Sequence, residues 1–397
     1  MIFDLAVWWG ALTLIGLAAE PVTARLFPAS FVDRGRGFAK PLGLIAVGYL
    51  SWLATSAGVP HRVSLAVACI GLAVAGAASW PRGGRPRASI VLQDEATFFA
   101  ALCAFAAIRA LAPDIFGAEK YMDFALLNTL VRADHFPPQD PWMSGVPVNY
   151  YYFGYLLFAN LVRLTGVAPA VGYNLALASI GAMAFSGAVC LGSFLSGSRW
   201  AGYISGAALV VIGNLDGARQ LIVEHRAFSG FDYWRPTRLV PNTINEFPFF
   251  SLVHGDLHPH LMALVIDVPL VGVAVATSAA MSESPRLRAN AARLCALAVL
   301  LATVALTNPW GLPVDLTLIG LLALHRLWDE RRPIRALLAA LGFVAALAVA
   351  AIVLSLPFTL RFHTQYQGIG RVESRTPLGP FLAIFGFLLL PPVARVV

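Results

Sequence analysis

The densest run of chemistry-bearing residues lies between Glu246 and Met262, where His254, Asp256, His258 and His260 follow a Phe-rich stretch and lead into an apolar run. In extended backbone, alternate side chains point to one side. His254, Asp256 and His258 would then converge as a divalent metal site requires. Imidazoles at His258 and His260 would equally hold a phosphate. The plainer alternative is a hydrogen-bonded helix entry with Asp256 as N-cap. A second pair, Glu119 and Asp123, is spaced four apart, so on a helix both carboxylates share a face. At the mouth of a membrane cavity they could act as general base or metal ligands; otherwise they mark a solvated surface helix.

Around these lie residues suited to holding a sugar or a headgroup. Asp140-Pro-Trp142 and Asn149-Tyr150-Tyr151-Tyr152 offer flat apolar faces with hydroxyl handles, or an aromatic belt. Asp216 sits at the outer end of an apolar segment. Arg371 belongs to a basic loop (Arg361, His363, Arg371, Arg375) suited to an anionic partner such as a lipid phosphate.

The elements that must position these residues follow from composition. Of 397 residues, 58% are hydrophobic and 12% are charged, about half the charge of a soluble domain. That excludes a cytosolic globular enzyme and a disordered chain. It leaves an all-α, polytopic, integral membrane bundle. The net charge of +7 is almost entirely Arg, with Lys only at Lys40 and Lys120. It reads as topology rather than nucleic-acid binding. Cys69, Cys103, Cys190 and Cys295 fall in apolar stretches without pairing or ligand spacing. Windows of about 20 apolar residues give about eleven spans: 2–19, 41–57, 63–79, 96–112, 170–191, 200–213, 260–279, 292–306, 312–327, 334–356 and 378–393.

Arg and Lys in short loops set the orientation. Residues 20–40, the loop with Arg82, Arg85 and Arg87, Arg199, and the clusters at 286–293 and 326–335 all come out cytoplasmic if 150–165 does not span. That segment, opening on Asn and Tyr, is expected to be a non-spanning element that lies along or dips into the outer interface. The N-terminus then faces out, without a standard cleavable signal. The polar segments 113–149, 214–259, 307–311 and 357–377 share the extracytoplasmic face. Residues 1–95 read as N-terminal membrane helices. Residues 96–397 read as a membrane core with outer loops 113–169, 214–259 and 357–377.

The chain resembles the polytopic "YYY" membrane proteins, a domain family of unknown function. The resemblance rests on Asp33-Arg-Gly-Arg-Gly37, Glu119-Lys-Tyr-Met-Asp123, Asp140-Pro-Trp142, Asn149-Tyr-Tyr-Tyr-Phe-Gly154 and Gly255-Asp-Leu-His-Pro-His260. Members are often longer, and Pro391-Pro392 interrupt the last apolar run, so either the last helix is short or the sequence is a fragment of a longer protein. The family in turn resembles GT-C glycosyltransferases, implying a GT-C-like fold. Those enzymes take a sugar from a polyprenyl-phosphate carrier on the outer face of the cell membrane. They carry one acid in the first large outer loop, then a juxtamembrane helix, two spans and a second acid. Asp123, 150–165 and Asp216 occupy those places, although Met122 and Phe124 flank Asp123 where an acidic pair would stand.

The resemblance implies that Asp123 is the base, with Glu119 or Asp216 orienting the acceptor or a metal. His254, Asp256, His258 and His260 would bind donor phosphate or a divalent ion. Trp142 and Tyr150–Tyr152 would stack on sugar. The competing expectations are a transporter or flippase for a lipid-linked or anionic solute, an intramembrane metal hydrolase, and a purely structural subunit.

Overall fold

A computed structural model describes residues 2–79, 87–283, 286–364, 370–372 and 374–389. Arg82 and Arg85, and residues 390–393 of the last expected span, lie outside them. The fold is all-α. In order, the helices are α1 Ile2–Leu26, α2 Ala39–Ser56, α3 His61–Ala78, α4 Ala88–Leu111, α5 Lys120–Arg132, α6 Phe153–Thr165, α7 Pro169–Ser196 and α8 Arg199–Val210. They continue as α9 Leu215–Ala218, α10 Pro248–His254, α11 Pro259–Glu283, α12 Leu287–Thr307, α13 Leu312–Leu327, α14 Pro333–Leu354, α15 Leu356–Thr359 and α16 Leu378–Phe385. Among the described residues nine helices are long and apolar enough to cross a membrane, or ten if a bent pair counts as one span.

Three expectations change. The span at 200–213 is broken: α8 has 12 residues, about 18 Å of helix. It meets the segment Leu215–Val223 at 89°. Second, α4 starts at Ala88 rather than 96, because its charged first turns are paired. Glu95 accepts from Lys40 Nζ at 2.5 Å and from Trp9 and Thr13 at 3.0 Å, and Asp94 pairs with Arg199. The expected boundary after residue 95 therefore falls within this helix.

Third, α6 does not lie along the surface. Its 13 residues are too few to span, but Phe153–Val162 are all buried, wedged against α1, α2, α5, α7, α11 and α12. A helix apolar on every side is driven inside. The centre of the bundle is α7, opened by Pro169 and closed by Gly197 in the left-handed region. It packs on α4, α8 and α11.

The loops meet at one end of the bundle. His61 N donates to Asp134 O, Asn149 exchanges two hydrogen bonds with the backbone of His363, and Arg361 donates to Phe136 O. The opposite end carries the turns α11–α12 and α13–α14.

Close helix contact depends on small residues. A Cβ at Gly76 would stand 2.1 Å from Ala18 O, whereas one at Gly71 on the same helix would meet nothing within 4 Å. Gly76→Leu is expected to cost about 1–3 kcal/mol or more, seen as a lowered thermal midpoint in detergent, while Gly71→Leu leaves the midpoint unchanged. Equal midpoints for the two would mean that α1 and α3 do not cross here.

Candidate functional site

Asp123 sits in the first turn of α5. It shares the stripe of Leu126, Leu127 and Leu130, which faces the core. The carboxylate is therefore carried inward and is 0% exposed. Tyr155 of α6 donates to its Oδ1 at 2.5 Å. Glu119, just before the helix, stays largely in solvent.

The second acid comes from a sharp turn. α10 ends at His254 through Gly255, whose φ of 79° is left-handed. The backbone conformation therefore calls for glycine, and a Cβ there would also displace the Arg109 guanidinium, whose carbon would stand 2.5 Å away. Arg109 donates to Val253 O at 3.0 Å and to Asn174 Oδ1 at 3.0 Å. The Tyr173 hydroxyl donates to Gly255 O at 3.1 Å and accepts from Leu257 N at 3.2 Å. The turn is clamped on both faces, and it delivers Asp256 and His258 to Asp123.

Asp123, Asp256 and His258 each place a ligand atom within 4.8 Å of the others. His258 Nδ1 lies 3.0 Å from Glu119 Oε2 and 3.7 Å from Asp123 Oδ1. Its Nε2 is 3.5 Å from the Tyr150 hydroxyl. Burial, reinforced by the Asp123 charge, pushes the Asp256 carboxyl up to about 8. Burial pulls the His258 imidazole down, but Asp123, Asp256 and Glu119 outweigh it and the net direction is up. Burial and the same acids raise the Tyr150 phenol, which stays a donor. Lys120 is lowered by burial and by Arg109.

One oxygen of each buried acid, Asp123 Oδ2 and Asp256 Oδ1, has no hydrogen-bond partner among the described residues. Such atoms ask for an occupant. Two carboxylates and an imidazole suit a divalent cation. A proton on His258 and a cation are alternative ways of neutralising the same pair.

Above the trio is a cavity of about 460 Å³ lined in part by Asn149, Tyr150, Tyr151, His258, His260 and Trp310. A second cavity, about 630 Å³, lies between α5 and the proline-rich loop, with Asn128, Arg132, His135 and Asp140 on its wall.

The expected set is regrouped by these contacts. His254 is not with Asp256 and His258; it stacks on Phe250 at 5.4 Å and meets Trp234 at 5.1 Å, and Asp123 takes its place. An extended strand would have brought it in, but α10 runs up to it. His260, in the first turn of α11, meets Ser251 Oγ at 3.1 Å and Glu246 at 3.6 Å. The tyrosine triplet divides: Tyr150 faces His258, Tyr151 packs on Phe362 at 5.1 Å, and Tyr152 is buried and accepts from Trp52 Nε1 at 3.1 Å. Tyr152 therefore faces the core and not the cavity.

Asp216 does not join Asp123 among the described residues. Arg235 grips both its oxygens, at 2.8 and 3.1 Å, and also Glu224 at 2.9 Å, holding Glu224 below the usual carboxylate range. Asp140 Oδ1 accepts from the backbone of Trp142 and Met143, the turn-forming role of an Asp before Pro. Trp142 and Arg371 are exposed.

Arg109, Tyr155 and Tyr173 were not among the residues singled out from sequence. A lone Arg near the end of an apolar run was the available signal for the first. Asp267 in α11 and Asp315 in α13 were also passed over, and each presents a buried oxygen without a partner among the described residues. An isolated acid within an apolar span marks them.

A family model described as "Uncharacterized membrane protein (DUF2298)" matches residues 46–397, and the chain belongs to that family. No curated protein and no solved structure matches it.

Manganese binding to the purified chain, followed by electron paramagnetic resonance of the free ion, checks the trio. Asp123→Asn and Asp256→Asn are expected to weaken it by about tenfold or more, with Asp216→Asn and His254→Phe within about twofold of the parent. Undiminished binding in both of the first two would remove the trio as a cation site.

Proposed function

Taking that membership as the premise, we propose that the chain is a GT-C-type glycosyltransferase. It moves a sugar from a polyprenyl-phosphate-linked donor to an acceptor hydroxyl at the extracytoplasmic face of the cell membrane. One observation carries the reading. A fully buried carboxylate with an unpartnered oxygen lies beside Asp256 and His258, and His258 in turn lines a polar, aromatic cavity at the end of the bundle opposite the Arg-rich turns. Positive charge in short loops marks the cytoplasmic side, so the cavity faces out.

The chemistry is displacement at the anomeric carbon. Asp123 Oδ2 takes the acceptor proton as the hydroxyl oxygen forms the new C–O bond. The bond from the anomeric carbon to the phosphate oxygen breaks, and the lipid phosphate leaves with the electron pair. Tyr155, by occupying Oδ1, fixes which oxygen acts. The His258 imidazole and the Tyr150 hydroxyl face the departing phosphate, and Asp123, then Asp256 and Glu119, favour the charged form of His258. Tyr151 and Trp310 supply apolar faces for the sugar ring. A divalent cation held by Asp123, Asp256 and a neutral His258 would replace the His258 proton in neutralising charge at the phosphate.

A second reading, a transporter or flippase for a lipid-linked or anionic solute, draws on Asp267 and Asp315, acids placed within the spans. Solute uptake by proteoliposomes in the absence of any transfer product would favour it.

Transfer of labelled sugar from defined polyprenyl-phosphate donors tests the leading assignment. Asp123→Asn is expected to lower turnover by about 10²–10⁴-fold while the protein remains folded. Asp216→Asn, which loosens an ion-paired loop, should keep its turnover per folded molecule. Unchanged turnover in Asp123→Asn sinks the proposal. Orientation has its own check: in sealed vesicles a cysteine at Glu119 should react with an impermeant reagent from the extracytoplasmic side and one at Glu330 should not.

A further inference from the structure

The end of the bundle remote from the site holds a feature that the transferase chemistry does not use. Between α11, α12, α13 and α14 lies a slot of about 220 Å³. Its walls are apolar, with Ala274, Leu297, Ile319 and Phe343 towards the interior and Arg326 near the α13–α14 turn. Ile319 and Arg326 stand seven positions apart on α13, about 10 Å along the helix axis. Protein interiors leave few voids larger than a water molecule, and a slot of this size between membrane helices is filled by what surrounds it, hydrocarbon.

The rim is basic on balance, with Asp329 and Glu330 the acids of the α13–α14 turn. Arg286, Arg288, Arg331, Arg332 and Arg335 are exposed around the same two turns as Arg326. Among the described residues none of these guanidinium groups is ion-paired to a carboxylate. By contrast Arg36, Arg199 and Lys40, at the same end of the bundle, are each paired. Six arginines gathered on two adjoining turns without a carboxylate partner among the described residues present a surface for an external anion. An apolar slot beneath a ring of arginines matches a phospholipid with an anionic headgroup, acyl chain below and phosphate above.

We propose that the slot is a binding site for an anionic phospholipid of the surrounding bilayer. Arg326 holds the phosphate, and one acyl chain runs between α11 and α13 towards Ile319. The site is independent of the cavity at His258.

Native mass spectrometry of the detergent-purified chain with added dioleoylphosphatidylglycerol or dioleoylphosphatidylcholine tests this. The anionic lipid is expected to bind at least about fivefold more tightly. That preference should disappear both in Arg326→Gln and in Ala323→Phe, which fills the slot and leaves the charge. Ala339→Leu serves as the filling variant should Ala323→Phe fail to fold, and Arg62→Gln at the other end should keep the preference. Inorganic phosphate in excess should not displace the lipid. Equal binding of the two lipids overturns the proposal. So does a preference that survives either change, because both headgroup and chain are required. Displacement by phosphate alone would mean a surface anion site and not a lipid slot.

Discussion

The arrangement turns on one unfavourable contact, two carboxylates buried side by side. Asp123 arrives on the apolar stripe of α5 and Asp256 on the turn before α11, and each repels the other's charge. An uncompensated buried charge costs several kcal/mol, so the surrounding elements must hold the pair together. Tyr155 of α6 binds one, His258 stands beside both, and Arg109 of α4 with Tyr173 of α7 locks the turn at Gly255. Five long or central elements are thereby committed to a local geometry that would not form alone.

The other end of the bundle handles its charges differently. Glu20 pairs with Arg36, Glu95 with Lys40 and Asp94 with Arg199. Buried pairs of this kind contribute little net stability, but losing one partner is strongly destabilising. The run Asp33-Arg-Gly-Arg-Gly37 belongs here, and its role is local folding. Asp33 Oδ1 accepts from Gly35 N at 3.0 Å, and Gly35 takes a left-handed φ where a Cβ would collide with Phe27. Asp33 Oδ2 and Asp94 Oδ2 are also buried without a partner among the described residues, so an unsatisfied oxygen alone does not single out Asp123 and Asp256. What does is the convergence of two acids and an imidazole within 4.8 Å of one another.

Much of this was legible from sequence, for physical reasons that also mark where legibility stops. Apolar runs report transfer out of water, so the spans and their alternation could be read directly. Asp123, Asp256 and His258 were visible because ionisable groups are expensive next to a membrane. Partners hidden by distance along the chain were not visible. Glu95 looked like loop until Lys40, far earlier in sequence, was placed beside it, and Asp216 looked catalytic until Arg235 was found on both its oxygens. Direction was the other blind spot. Three consecutive tyrosines are equivalent in sequence, but the start of α6 sends Tyr150 to His258 and Tyr152 to Trp52. His254 was lost to the cluster because α10 is helical up to it, so the alternation that extended backbone would give does not apply.

The polarity of the site bears on which ligand it can hold. Glu119 and Asp123 come from the α5 side, whereas Asp256 and His258 come from the turn into α11, a helix of 25 residues. The amino end of such a helix carries partial positive charge and favours anions, and a protonated His258 adds to it. A plain cation site would have no need of that second half, and a plain anion site would not bury Asp123 and Asp256 against it. A reaction in which one reactant surrenders a proton while another departs as a phosphate uses both halves at once. The Tyr150 hydroxyl, 3.5 Å from His258 Nε2 and kept protonated by its surroundings, lies on the anion-binding side. Asp123 Oδ2 lies on the other. In the transfer proposed above, proton removal would fall to Asp123 on α5 and charge collection to His258 and Tyr150.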